Sequence, residues 1–337
     1  MKVLEIAGTF GLENLVLAER PEPQPGPGEV LLEMRAASLN YRDLLMVQGA
    51  YNPRQPLPLI PCSDGVGVVA AVGDGVTRVK IGDRVITQFS QGWISGDPPL
   101  DSLRTTLGGP LDGTLAELMV LSEEGVVLAP GHLSDVEAAT LTCAGLTAWS
   151  ALVTRAAIGE GDSVLVLGTG GVSIFALQFA RILGAEVIVT SSSDAKLERA
   201  RELGAAATVN YRETPEWAKE LKQITEGQGV DLVVEVGGAE TLPQSVRSVR
   251  PGGQISLIGN LSGAALDFNL VPVFMRGVRI QGILVGHREG FEAMSQAIAE
   301  SQMRPVVDRV FPWSDARQAL EHLAAGRHFG KVCLRIS

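Results

Sequence analysis

Apolar residues in this chain fall into two rhythms. Up to about residue 125 they come in short runs broken by proline and glycine, the pattern of a β-rich domain. Leu15-Val16-Leu17 and Val30-Leu31-Leu32-Glu33-Met34-Arg35-Ala36 predict strands, as do residues 65–72, 79–86 and 113–120. Pro21, Pro23, Pro25 and Pro27 make the intervening segment a stiff loop that cannot join a sheet interior. Residues 40–49 predict a short helix ending at glycine, and 88–111, without period, a long loop. Ser134 and Glu137 have the spacing of a capping box, opening a helical stretch that continues over 140–154.

From Asp162 the rhythm becomes strand, helix, strand, helix. Strands are predicted at 164–167, 187–190, 208–209, 230–236, 254–258 and 279–285, with helices at 173–183, 194–203 and 216–225. This alternation implies a doubly wound parallel sheet. The tail leaves it: a helix at 291–300, a strand at 305–311, a capped helix from Ser314 and a strand at 331–336. The expected fold is therefore α/β, a β-rich domain plus a Rossmann-like six-stranded parallel sheet. The expected domains are 1–128 with 289–337, discontinuous, and 129–288.

One turn stands out. Val164-Leu165-Val166-Leu167 runs straight into Gly168-Thr169-Gly170-Gly171-Val172-Ser173, and a helical pattern follows. A buried strand, a glycine turn and a helix N-terminus together form a pyrophosphate site, because glycine lets backbone approach a ligand and the helix end presents free N–H groups. Ser173 stands where the third glycine of the fingerprint is usual, and a residue that small still permits close helix–strand packing.

Composition narrows the class. The 337 residues suffice for two domains. A formal net charge of −10 argues against a nucleic-acid partner. Cys62, Cys143 and Cys333 form neither a C-x-x-C pair nor a disulfide framework, as in a reducing compartment. No stretch approaches the ~20 apolar residues of a membrane span. With no apolar leader after Met1, a cytoplasmic location and a small-molecule substrate are expected.

Taken together, Pro25-Gly26-Pro27-Gly28-Glu29-Val30, Ser38-Leu39-Asn40-Tyr41-Arg42-Asp43, Val79-Lys80-Ile81-Gly82-Asp83-Arg84-Val85, Ala138-Ala139-Thr140-Leu141, Thr147-Ala148-Trp149, the glycine turn and Gly330-Lys331 resemble the medium-chain dehydrogenase/reductase superfamily over nearly the whole chain. The β-rich domain would then be GroES-like. The superfamily holds zinc alcohol dehydrogenases and zinc-free quinone oxidoreductases and enoyl reductases. The resemblance puts the catalytic zinc ligands of the first branch at Asn40, Ser63 and Cys143, two of which are not metal ligands. Pro61-Cys62-Ser63-Asp64-Gly65 replaces the expected Gly-His-Glu, no four-cysteine cluster occurs in 88–111, and the four histidines are scattered. No metal is expected, and the zinc-free, quinone oxidoreductase-like branch fits best.

An NAD-specific fold carries an acid about 20 residues past the glycines, to hold the ribose 2′-hydroxyl. Here the second strand ends Thr190-Ser191-Ser192-Ser193, and Asp194 is expected to cap the next helix. Ser191 and Ser192 leave room for a 2′-phosphate; the resemblance adds Lys196 and Tyr211 as its partners, so NADP(H) is the expected cofactor. It also implies Thr147 near the carboxamide, Gly259, Asn260, Leu284 and Val285 beside the nicotinamide, and Arg327 and Lys331 reaching the cofactor from the C-terminal segment. Asn40 is the expected hydrogen-bond donor to a substrate oxygen, in a cleft between the domains, and Tyr41 or Tyr51 the proton donor.

The expected reaction is NADPH hydride transfer to a quinone or activated enone or carbonyl. A zinc-free alcohol or aldehyde dehydrogenase-like enzyme and a non-catalytic NADPH-binding sensor remain as alternatives. Family habit implies a homodimer, paired through the strand predicted at 279–285.

Overall fold

The computed structural model describes residues 1–337 except Leu266. The chain forms two compact units, Met1–Leu146 with Gly286–Ser337, and Thr147–Val285. The division falls later than the expected 128/129 and slightly before 288/289. The physical reason is that residues 129–146 are tied to the first unit's strands. Arg84 pairs with Asp135 at 3.2 Å, the Thr142 hydroxyl donates to Thr87 O at 2.8 Å, and the Cys333 thiol lies 3.8 Å from Val136 O.

In the first unit, β1 (Lys2–Ile6) pairs antiparallel with β2 (Leu15–Glu19). The main sheet is built on the eleven-residue β3 (Glu29–Leu39), flanked by β4 (Asp64–Val72) and extended by β5 (Arg84–Thr87) and β7 (Val126–Leu128), while β6 (Leu118–Ser122) pairs with the first half of β3. Between β3 and β4 lies α1 (Tyr41–Val47), and after β7 comes α2 (Asp135–Ala139) with the predicted Ser134–Glu137 capping box. The apolar stretch after α2 is a π turn at Leu141–Gly145, one α turn, α3 (Leu146–Trp149), and a second π stretch at Ser150–Arg155.

The second unit is the parallel sheet. Its strands are β8 (Ser163–Leu167), β9 (Glu186–Ser191), β10 (Ala207–Asn210), β11 (Val230–Glu235), β12 (Val249–Leu257) and β13 (Arg279–Gly282), in the order β10-β9-β8-β11-β12-β13. The helices are α4 (Gly171–Ile182), α5 (Asp194–Glu202), α6 (Trp217–Ile224), α7 (Leu242–Ser248) and α8 (Val271–Met275). The strand order reverses between β8 and β11, and in such sheets ligands bind outside the C-terminal strand ends at that switch point. Each central strand is buried on both faces, which explains its unbroken Val/Leu/Ile run: Val164, Leu165, Val166, Leu232, Val233 and Val234 are all fully buried.

The C-terminal segment belongs to the first unit. After α9 (Arg288–Ser301), β14 (Val307–Pro312) pairs with β15 (Lys331–Arg335), and β15 runs antiparallel to β3, Val332 opposite Leu39. α10 (Ala316–Ala324) buries Ala316, Ala319, Leu320 and Leu323 in a core shared with Leu39, Leu44, Val47 and Leu334. The capped start expected at Ser314 is instead a 3₁₀ turn, Trp313–Asp315, because the Ser314 hydroxyl turns to Asp315. Among the described residues no helix is long and apolar enough to cross a membrane.

Candidate functional site

In the second unit, Gly168 leaves β8 at φ +73°, a conformation that L side chains rarely adopt. Its N–H donates to Thr190 O at 2.8 Å, which ties the turn to the end of β9. Gly170 is the N-cap of α4 and has no side chain to close the helix end, so the N–H groups of Gly171, Val172 and Ser173 point outward with the positive end of the helix dipole. Ser173, in place of the third glycine, is buried, and its hydroxyl donates to Leu167 O at 2.7 Å. The substitution thus adds a strand–helix bond at the point where glycine would give only close packing.

Thr169 and Ser191 are buried, Ser192 and Lys196 half-buried, and Tyr211 41 % exposed at the end of β10. Ser191 O accepts from Tyr211 N at 3.0 Å, so the ends of β9 and β10 lie together. Asp194 does not cap α5. Ser193 holds the N-cap position, and Asp194 is the first helical residue, with its carboxylate taken by the Asn210 amide at 2.8 Å. Gly259 lies where a Cβ would meet Val236 O at 2.4 Å; Asn260 beside it is exposed. Leu284 is half-buried, Val285 is buried at φ +38°, and Thr147 is buried in α3.

Sequence reasoning missed Glu235. It ends β11 fully buried, and its carboxylate accepts from Gly237 N at 2.8 Å, Gly238 N at 3.1 Å, the Thr241 hydroxyl at 2.6 Å and the Ser245 hydroxyl. The signal was present: one acid closes an apolar strand just before Gly237-Gly238. This carboxylate orders the loop leaving the strand next to β8, at the ligand edge of the sheet. A dinucleotide fits that edge. The free N–H groups at α4 suit its pyrophosphate, and the hydroxyl-bearing, carboxylate-free end of β9 suits a 2′-phosphate.

In the first unit, the residues at the expected ligand positions gather round a buried ion pair. Asp64, fully buried at the start of β4, lies 3.7 Å from the Lys331 ammonium and accepts from the Ser63 hydroxyl at 2.8 Å. Lys331 is only 3 % exposed and donates to Leu39 O at 2.7 Å and Asn40 Oδ1 at 2.5 Å. Thr87 anchors this strand start, donating to Ser63 O at 2.9 Å and accepting from Gly65 N at 3.1 Å; the Thr142 hydroxyl on Thr87 O brings the π turn carrying Cys143 to the same place. Burial pushes the Asp64 carboxyl above its ordinary range. The Lys331 ammonium, the Asn40 amide, the Ser63 hydroxyl and the Cys143 N–H pull the other way.

Asn40 opens α1, its own N–H donating to Asp43 Oδ2 at 2.7 Å. Tyr41 is 43 % exposed. Tyr51 is 46 % exposed and stacks on the Arg42 guanidinium, 4.9 Å from its ring centroid, with Phe89 at 5.0 Å and Arg42 donating to Leu107 O and Gly109 O. Arg327 is exposed on the turn after α10. The ammonium of Lys331, expected at the cofactor, donates to Leu39 O and Asn40 Oδ1.

These side chains do not make a zinc donor set. The amide of Asn40 and the hydroxyl of Ser63 are poor ligands, and a thiol binds zinc as thiolate. Cys143 is the one usual zinc ligand of the three, and an ammonium already lies beside Asp64 and on Asn40 Oδ1. Among the described residues no three His, Cys, Asp or Glu side chains group as metal ligands.

Asp43 is pushed up to about 6 by burial and by Asp64, against the pull of Arg42, the Asn40 N–H and Lys331. From its ordinary value of 3.8 up to about 6 the folded chain keeps a proton that the unfolded chain has lost, so this group's contribution to stability falls as pH rises through that window. Asp43→Asn can still accept from Asn40 N and carries no charge. Its melting temperature is expected to exceed wild type above pH 6 and to converge on it near pH 4. A constant difference from pH 4 to 8 would contradict the assignment.

Comparison with known proteins agrees with this architecture. The family model described as alcohol dehydrogenase GroES-like domain matches residues 26–131, and that described as zinc-binding dehydrogenase matches 171–300. A zinc-type alcohol dehydrogenase-like protein of Schizosaccharomyces pombe is 43 % identical over 333 residues, covering 97 % of this chain and 96 % of its own. The solved structure of an NAD-dependent alcohol dehydrogenase superposes with a TM-score of 0.90 at 34 % identity, covering 100 % of both chains. A mycobacterial protein solved with NADPH gives 0.83 at 27 %, again covering 100 % of both. The chain belongs to the medium-chain dehydrogenase/reductase superfamily, among its alcohol dehydrogenase-like proteins, and is an oxidoreductase.

Proposed function

We propose that the protein is an NADP(H)-dependent oxidoreductase that transfers hydride to a quinone or an activated enone or carbonyl without zinc. The observation carrying this reading is the Asn40–Lys331–Asp64 cluster: a positively charged, hydrogen-bonding group stands where a metal-dependent relative would need ligands. The carboxylate-free end of β9 supports the phosphorylated cofactor. NADPH, when bound, supplies the hydride. The outward N–H groups of α4 hold its pyrophosphate, and Ser191, Ser192, Lys196 and Tyr211 hold the 2′-phosphate. Asn40 donates a hydrogen bond to the acceptor oxygen as charge builds there, and Tyr41 or Tyr51 delivers the proton that completes the reduction.

The test is NADPH consumption against quinones, enones and aldehydes, before and after dialysis against a chelator. Turnover of quinones or enones that survives chelation is the expected result. Turnover restored only by zinc overturns the metal-free reading. Turnover confined to alcohols and aldehydes favours the second reading, for which the names of the relatives speak. Tight NADPH binding with no turnover would point to a sensor.

The molecule is further proposed to be a homodimer. β13 ends the sheet with one edge unpaired among the described residues, and α8 exposes Val271, Phe274 and Met275 by 50–73 %. Apolar exposure on this scale together with a free edge fits pairing with a second copy. Phe274→Asp with Met275→Asp is expected to move the mass measured by light scattering from two chains to one; an unchanged mass would reject this face.

A further inference from the structure

We infer that Lys331 is a positioning residue that sets and strengthens the hydrogen-bond donor of Asn40; this rests on the metal-free reading above. An ammonium has three protons and no lone pair, so it bonds only to the oxygen end of an amide. At 2.5 Å from Lys331 Nζ, that end of Asn40 is settled as Oδ1. Asp64, the partner of Lys331, attracts the nitrogen end to its own side, the Asn40 amide being one of the groups that hold its carboxyl down. The amide dipole therefore lies between the two members of a buried ion pair, oxygen to the cation and nitrogen to the anion.

The consequence is a donor held ready. Asn40 Nδ2 is buried, and among the described residues no acceptor meets it in normal hydrogen-bond geometry; Asp64 Oδ2 is likewise without such a partner. A buried amide left open in this way is costly, and such groups mark places where a ligand completes the bonding. A cation on the carbonyl oxygen also draws electron density out of the amide, so its N–H becomes a better donor to a developing oxyanion. Lys331 thus acts through Asn40, polarising an acceptor oxygen by way of an amide.

The geometry that holds Lys331 is not adjustable. Gly330 sits at φ +81°, and a Cβ there would meet Val306 O at 2.3 Å; Phe329 N donates to Asp308 and Lys331 N to Val306 O. Two of the three ammonium protons of Lys331 are held by Leu39 O and Asn40, and the cofactor-contact role expected from sequence and this positioning role predict different kinetics.

The test compares Lys331→Met, Asn40→Ala and the double variant, with quinone and NADPH as substrates. Lys331→Met is expected to lower kcat about 10²-fold, with the NADPH dissociation constant within threefold of wild type. In the Asn40→Ala background the same change is expected to cost less than threefold, because the two residues act as one unit. A loss confined to NADPH affinity, or full additivity with Asn40→Ala, overturns the proposal. Should Lys331→Met fold poorly by its melting curve, Asn40→Asp supplies the second variant: it keeps a partner for the ammonium, removes the N–H donor, and is expected to lose kcat equally. Retained turnover in Asn40→Asp overturns the proposal. If the wild type turns over no acceptor at all, the proposed function fails on its own. The positioning claim is then read from the Asn40 side-chain amide resonance, assigned by its loss in Asn40→Ala. It is expected to shift in Lys331→Met, and an unchanged resonance overturns the claim.

Discussion

Ser192→Asp is expected to lower kcat/KM for NADPH about 10²-fold and to raise it for NADH. Ser192 is the first residue beyond β9, at the position where a dinucleotide fold reads the adenosine ribose. A carboxylate there faces a phosphate carrying close to two negative charges. At ~4 Å and an effective dielectric near 20, each unit pair repels by about 4 kcal/mol. Screening and side-chain movement leave about 3 kcal/mol, or ~10² in affinity. The same carboxylate accepts from the 2′- and 3′-hydroxyls of NADH, so the preference inverts. The measurement is kcat/KM for both cofactors with one acceptor. An unchanged ratio would show that the 2′-phosphate is not read at Ser192.

The second large effect is structural and falls on Glu235. Glu235→Ala removes the acceptor of two backbone N–H groups and two hydroxyls at once, at a fully buried strand end. Water cannot reach all of these donors, and leaving buried donors unpaired costs about 1–3 kcal/mol each. The hydroxyls of Thr241 and Ser245 can rotate; the N–H groups of Gly237 and Gly238 cannot. The expected loss is about 3–5 kcal/mol, near 10 °C in melting temperature for a unit of this size. Glu235→Gln keeps an accepting oxygen for the N–H groups and should lose less than half as much. Amide hydrogen exchange at Gly237 and Gly238 locates the effect: it should quicken there first, before the rest of the sheet. A melting temperature within 2 °C of wild type in Glu235→Ala would refute the role.

Much of the second unit was legible from periodicity. A strand buried on both faces carries a near-continuous apolar run, so residues 164–167, 187–189 and 232–234 stand out against the polar loops around them. The glycine turn was legible because positive φ and a bare helix end admit few residues. α7 and α8 were not seen. Each is under eight residues, and α8 keeps its apolar side exposed, so no amphipathic period develops. Asp194 was misplaced by one residue because Ser193 and Asp194 are both good N-cap residues, and only the Asn210 amide decides between them.

Local sequence thus determined the elements of the parallel sheet, the glycine turn and the absence of an acid at the end of β9, since each depends on residues close together in the chain. The polar cluster was decided by tertiary structure. Asn40 and Lys331 are 291 positions apart, and they meet only because β15 lies antiparallel to β3 with Val332 opposite Leu39, which brings the residue before the one beside the residue after the other. Lys331 alone reads as a charge beside a glycine. Its bond to the Asn40 carbonyl oxygen, its burial and its distance from Asp64 depend on strand register, which neither end of the chain encodes alone.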